Sequence, residues 1–344
     1  IRLSLVGSEM CIRDRCWRRF PRFILPPRET ATRCGRRFLL PKASWRCFVI
    51  RSDNPPDNGV SGAMYLFGTA LLWSFIGILV RANSQSALLI GAVTAIFMAL
   101  FILLVGRPVL RVSRLIVLVA VCNFVTGTTF NFANQLTTVG NAIVLQYTSM
   151  IFVIVYQSLA TRTLPSPAKI ASVVVAFTGM GLFFLGDLSA EGMLGNLLAV
   201  ISGATFGLCF FLNSRPDASP MVSSLISCGI SILPIVYFAG DLGSVKPFEW
   251  GLMLVHGLFC SGLASVLYAK GIARTNAFAA NLVCMSEVVL APCWSALLFG
   301  EVFRWNEFLG AAIIVLVIVG NLAYDAFGDG FLVALVRHRN KERA

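Results

Sequence analysis

Charge is what this sequence has least of. Only 13% of its 344 residues are Asp, Glu, Lys or Arg, about half the share a soluble domain carries. Histidine is scarcer still, with His256 and His338 alone, which argues against a histidine-based metal centre. There is no Gly-x-x-x-x-Gly-Lys-Ser/Thr run, so the chain does not bring its own ATP-hydrolysing loop. The ten cysteines show no paired short spacing of the zinc-binding kind: Cys11, Cys16, Cys34 and Cys47 lie near the start, and Cys122, Cys209, Cys228, Cys260, Cys284 and Cys293 lie inside apolar blocks, where cysteine serves as a small packing residue. No cofactor and no metal are expected. The net charge of +12 does not point to nucleic acid either. Much of it sits in residues 1–58 and the rest at the ends of apolar blocks, with no basic stripe interleaved with aromatics.

What the sequence has in abundance is apolar length. Hydrophobic residues make up 57% and the mean hydropathy is +0.80. From Ser61 onward the apolar residues form blocks of roughly 20, which is what a bilayer core of about 30 Å requires. Inside lipid each backbone N–H and C=O must be paired within its own segment, so such blocks read as helices. β-barrel strands would be shorter and would alternate in polarity. The spans fall at 61–80, 86–106, 115–133, 139–160, 168–186, 193–212, 220–240, 250–269, 276–299 and 306–325. Residues 1–58 hold nine scattered arginines from Arg13 to Arg37, several prolines and no sustained periodicity, and are expected to be a disordered or spurious N-terminal extension. Residues 326–344 read as a basic tail.

The positive-inside rule tests the count. With a cytoplasmic N-terminus, the inner connections carry Arg107, Arg111 and Arg114, then Arg162 and Lys169, Arg215, Lys270 and Arg274, and the tail. The outer ones carry Arg81, Lys246 and Arg304. An error of one span would scramble this bias, so an even count with both termini cytoplasmic is expected, in the inner or plasma membrane.

A shift of 138 residues lays the third to fifth spans on the eighth to tenth. It aligns Thr137 with Thr275, Ala142 with Ala280, Leu159 with Leu297 and Asp187 with Asp325. It also lays the stripe Asn123, Gly127, Asn131 on Ser261, Ser265, Ala269, and the face Ala142, Gln146, Ser149 on Ala280, Cys284, Glu287. Halves of five spans enter the membrane from opposite sides, an arrangement that lets a transporter exchange inward- and outward-facing forms. The expected fold is an all-α membrane protein of ten transmembrane helices built as two inverted five-helix repeats, 61–187 and 192–325.

Several short runs carry a family resemblance. Ala70-Leu71-Leu72-Trp73-Ser74 resembles an Ala/Leu-rich run ending in Trp-Gly, with Ser74 in place of the glycine, and Ala142-Ile143-Val144-Leu145-Gln146-Tyr147 is similar to a fourth-span start. Ser286-Glu287, Leu298-Phe299-Gly300-Glu301 and Gly310-Ala311 resemble signatures of the ninth and tenth spans. Together they resemble the EamA-type transporters of the drug/metabolite transporter superfamily. Val288, Met150 and Thr163 depart from that pattern where proline, proline and glutamate are common. The resemblance implies a central cavity between the halves and passage of small organic molecules such as amino acids, amines, sugars and nucleotide conjugates.

Glu287 is the one formal charge well inside a span. An acid at a helix centre costs roughly 2.5–3.5 kcal/mol on insertion scales, so such a residue faces a cavity or a partner. Burial favours its neutral form, which suits proton coupling or a counter-charge to a cationic substrate group; the alternative is a protonated acid acting as interhelical glue. His256 reads as a proton relay or as a packing histidine. Asn123, Asn131, Gln146, Tyr147 and Tyr268 read as cavity-lining hydrogen-bonders or as helix–helix contacts, and Trp73 as a stacking surface or a space filler. Gly195, Ala199, Gly203 and Gly207 form a stripe for close backbone approach, read as packing within the bundle, with a homodimer face as the alternative. Glu301 is expected to pair with Arg304. The expected function is a secondary transporter of small metabolites, with import and export both open, and with lipid and a small-molecule substrate as partners. The other readings are a non-transporting scaffold or receptor and, with one Glu and one His on different spans, an intramembrane enzyme.

Overall fold

A computed structural model describes residues 59–137, 139–185, 192–238, 242–299 and 304–341. Among these residues every regular element is helical. Seven helical stretches are long and apolar enough to cross a membrane: Ser61–Val80, Ala87–Gly106, Arg114–Leu136, Asn141–Thr161, Met193–Asn213, Pro247–Ile272 and Trp305–Tyr324. Three shorter apolar helices, Pro167–Phe183, Pro220–Val236 and Ala277–Ala291, lie where the fifth, seventh and ninth spans were expected. The expected Glu301–Arg304 pair and the extension 1–58 lie outside the described residues.

Polar residues at the connections start the helices. Ser86 caps α3 (Ala87–Phe101) by accepting from the Leu89 N–H at 3.3 Å, and Ser113 caps α4 (Arg114–Leu136) through the Ile116 N–H. Ser166 followed by Pro167 opens α7 (Pro167–Phe183), and Asn276 opens α12 (Ala277–Cys284) by accepting from the Ala279 N–H at 2.8 Å. Each of these side chains satisfies an N–H that the first turn leaves without an intrahelical partner.

Several spans are not continuous helices. The first divides into α1 (Gly59–Trp73) and α2 (Ile76–Arg81) around Ser74 and Phe75. The fourth divides into α5 (Val139–Gln146) and α6 (Ser149–Thr161), where the Met150 N–H bonds Tyr147 O at 3.1 Å instead of reaching back to Gln146 O. The ninth divides into α12 and α13 (Ser286–Phe299), where the Val288 N–H bonds Met285 O at 3.0 Å instead of reaching Cys284 O. Residues 147 and 150 lie 138 before 285 and 288, so the two tight turns fall on equivalent positions of the repeat read from the sequence. The eighth span holds a π-helical segment, His256–Leu263, between α10 (Pro247–Val255) and α11 (Ala264–Ile272). The tenth, α14 (Trp305–Lys341), continues as helix well past residue 325, where the span was expected to end.

The main core gathers Tyr147, Met150, Phe210, Tyr268, Phe278, Cys284 and Met285, with Trp73 and Phe206 packed against it. It therefore joins α1, α5, α6, α8 (Met193–Asn213), α11 and α12 around the two broken helices. α4 and α6 pack along α8, and α7 packs on α14. The small stripe of α8 explains the close approach. A Cβ added at Gly203 would stand 2.8 Å from Gln146 O and 2.9 Å from Leu145 O, and one at Gly207 would stand 2.7 Å from Ser149 O. The stripe is thus packed inside the bundle, against the break in the fourth span.

Candidate functional site

The fourth and ninth spans meet at their breaks. Tyr147 is fully buried and its hydroxyl donates to Cys284 O at 3.0 Å, the carbonyl that the turn at Met285 releases from the helical ladder. A helical carbonyl points toward the residues that follow it, so a hydroxyl at that distance lies beside the side chain three residues on. That side chain is Glu287, whose carboxylate interacts electrostatically with the Tyr147 hydroxyl and the Cys284 thiol. Glu287 also sits in the first turn of α13, where the half-helix dipole favours an acid. Because Tyr147 is buried, the acid is directed into the bundle.

One turn away, Asn281 and Ser149 bond reciprocally: Asn281 Nδ2 donates to Ser149 Oγ at 2.9 Å, and Ser149 Oγ lies 3.2 Å from Asn281 Oδ1. Both are fully buried. Two polar pairs therefore lock the crossing of the broken helices, and in lipid such pairs have no water to compete with them.

An aromatic wall adjoins this crossing. Trp73 lies 5.8 Å from Phe206 and 6.0 Å from Tyr268, Phe206 lies 4.8 Å from Phe210, and Phe210 lies 5.5 Å from Tyr268, measured between ring centroids. Asn213 Nδ2 donates to the Tyr268 hydroxyl at 3.4 Å, while Asn213 Oδ1 is buried with no partner among the described residues. Just beyond Trp73, at the break between α1 and α2, Trp294 Nε1 donates to Ser74 Oγ at 2.9 Å and the Trp294 ring stacks on Phe75 at 4.6 Å. The break at Ser74 is thus held by the ninth span.

The remaining expected site residues fall elsewhere. Gln146 is buried and committed to the bundle: its Nε2 donates to Ser202 Oγ at 3.1 Å, and that hydroxyl donates on to Thr126 O at 3.0 Å. Asn131 is half-buried, its Nδ2 3.9 Å from where a Gly91 Cβ would stand, so it faces α3. Asn123 is half-buried on α4. His256 is buried at the start of the π segment, next to Gly257, whose added Cβ would meet Phe97 and Thr94 of α3. The structure therefore brings Glu287, Tyr147, Tyr268 and Trp73 around one core and leaves Asn131 and His256 outside it. Asn281, Phe206, Phe210 and Asn213 were not anticipated. Phe206 and Phe210 share a helix face by their spacing of four, and Asn281 is a polar residue in an apolar span, so both signals were present in the sequence.

A further polar cluster joins the α2–α3 connection to α10. Glu249 Oε1 accepts from the Ser84 N–H at 3.2 Å and from the Ser84 hydroxyl, and Oε2 accepts from Gln85 Nε2 at 2.9 Å and from the Lys246 N–H at 3.1 Å. Asn83 Nδ2 adds a bond to Glu249 O at 3.4 Å. One carboxylate thereby caps α10 and clamps the connection that follows the first span.

Comparison with known proteins agrees with this architecture. A solved structure described as "Crystal structure of protein" superposes with a TM-score of 0.64 at 17% identity, covering 75% of this chain and 96% of its own, a likeness of fold. A protein of Archaeoglobus fulgidus called "Uncharacterized transporter" is 24% identical over 214 residues, 61% of this chain and 76% of that relative. Residues 193–323 match the model of the EamA-like transporter family. The second half of this multi-pass helical membrane protein is thus similar to the EamA-like transporter family over residues 193–323.

Proposed function

We propose that the protein is a secondary transporter that moves small organic metabolites, amino acids and amines among them, by alternating access between two oppositely oriented halves, 61–187 and 192–325, with ten crossings and both termini cytoplasmic. The observation that carries this reading is the pair of helix breaks 138 residues apart, which cross where the buried Tyr147 meets Glu287. Broken helices whose free backbone groups face a protein interior are the usual ground for a substrate or ion site in transporters. In this reading Glu287 is the coupling or counter-charge group, Tyr147 its neighbour, and Trp73, Phe206 and Tyr268 the apolar wall of the path. An acid beside aromatic faces suits substrates that bear an ammonium group.

The test is flux in proteoliposomes with a panel of radiolabelled amino acids and aliphatic amines, for the wild type, Glu287→Gln and Glu287→Ala. Loss of uptake or a flattened pH profile in both variants is expected. Full flux with an unchanged pH profile in both removes Glu287 from the mechanism, and no flux of any panel member by the wild type removes this substrate class.

A further inference from the structure

We infer that Tyr147 is a positioning residue that ties the fourth and ninth spans together only while Glu287 holds a proton. The inference rests on the reading of Glu287 as the coupling group and adds to it the element that the proton would move. Its basis is a count of protons at one point. The Tyr147 hydroxyl has one hydrogen, which lies on Cys284 O at 3.0 Å, and the Glu287 carboxylate interacts electrostatically with the same hydroxyl and competes for that hydrogen. When Glu287 is protonated, its O–H donates to the tyrosine oxygen and the tyrosine O–H remains on Cys284 O, so both bonds form. When Glu287 has released its proton, the carboxylate accepts only, and a charge-assisted bond outcompetes a neutral one. The hydroxyl then turns to the carboxylate, and Cys284 O, already abandoned by the Val288 N–H, loses its partner. The break in the ninth span is left with a buried unpaired carbonyl, and the fourth span loses its hydroxyl tie to that backbone.

No other described group competes for this role. Among the residues whose side chains are described, the titratable groups on α1, α12 and α14, which pack on α13, are Tyr65, Cys284, Glu307 and Tyr324. Tyr65 lies under the cations of Lys270 and Arg274, and Glu307 accepts from the Arg304 N–H at the far end. Tyr324 is exposed, and Cys284 is the thiol beside the acid. Tyr156, on α6, donates to Ala204 O. Gln146, Tyr147's own neighbour, is bound to Ser202 on the opposite side.

The test is hydrogen–deuterium exchange of the full chain in lipid nanodiscs, with no substrate, at an acidic and an alkaline pH and with the intrinsic pH dependence removed. In the wild type, peptides covering 142–152 and 279–290 exchange about five- to tenfold faster at the alkaline pH, as expected for loss of one buried hydrogen bond. Glu287→Gln keeps a permanent N–H donor toward the tyrosine oxygen, so both peptides stay protected at both values. Tyr147→Phe has no tie to lose, so both exchange rapidly at both values, while peptides of α7 and α9 (Pro220–Ile232) exchange as in the wild type. Retention of the wild-type pH response in either variant overturns the inference. Because the measurement needs no flux, a protein that shows this pattern but transports nothing sinks the transport reading alone, and one that transports without this pattern sinks the inference alone.

Discussion

Replacing Gly203 by alanine tests the packing that holds the broken fourth span. The new methyl carbon would stand 2.8 Å from Gln146 O, 2.9 Å from Leu145 O and 2.5 Å from Thr148 Oγ1. The carbonyls belong to the backbone at the end of α5, and the threonine hydroxyl is itself bonded to Leu145 O at 2.6 Å, so none of the three can yield cheaply. Forcing a methyl into such a site costs about 1–3 kcal/mol. Against it stands the gain of about 1 kcal/mol that alanine brings to a helix interior over glycine. The net expectation is a loss of about 1 kcal/mol. Gly229 supplies the internal standard, because a Cβ there meets nothing within 4 Å. The same exchange at Gly229 in α9 should stabilise by about 0.5–1 kcal/mol. Equilibrium unfolding in mixed micelles, followed by circular dichroism, measures both variants against the wild type. If Gly203→Ala were as stable as Gly229→Ala, the claim that α8 touches the break through bare backbone would be wrong.

Three further outcomes follow from the same contacts. A double-mutant cycle over Ser149→Ala and Asn281→Ala should give a coupling of about 0.6 kcal/mol, with about 1.7 kcal/mol as the upper bound for a membrane pair; a coupling indistinguishable from zero would show that the pair adds nothing to the crossing. Glu249→Ala removes the acceptor for Ser84, Gln85 and the Lys246 N–H, so the connection at residues 82–86 should become a site of protease nicking in detergent, and an unchanged digestion pattern would refute the clamp. Trp73→Ala opens the aromatic wall beside Phe206 and Tyr268, and should raise the KM for aromatic amines in the flux assay more than for small aliphatic ones; an equal change for both would assign Trp73 to packing.

The helical class was legible because apolar length in a membrane protein leaves little choice of structure. Glu287 was legible for a related reason: a lone acid in an apolar span is conspicuous, and the structure turns it toward a buried tyrosine. Tyr147 was readable as a polar-tipped residue on the fourth span, but its partner was not, because Cys284 offers its backbone carbonyl and no side-chain pattern announces that. The breaks themselves were hidden. Neither Tyr147-Thr148 nor Met285 carries a proline or glycine, the residues that ordinarily mark an interruption. Gln146 had two readings in the sequence, a cavity-lining hydrogen-bonder or a helix–helix contact. Its amide bonds Ser202, and only the register of α8 against α5 decides between those uses. The small stripe on α8 allowed two uses, and the packing partner became visible once the fourth span lay against it.

The π segment at His256–Leu263 has a consequence for register. An extra residue in one turn advances everything after it by about 100° around the axis. Tyr268 meets Phe210 and Asn213 with that rotation already built in. A helical wheel drawn straight through α10 and α11 assigns the wrong face to one of them, and the alignment of Asn123, Gly127 and Asn131 with Ser261, Ser265 and Ala269 crosses the same wound-out turn. Deleting a single residue between 256 and 263 would leave the composition of the span nearly untouched while swinging the tyrosine away from its neighbours, so here the number of residues in one turn, more than their kind, sets what the far half of the helix can touch.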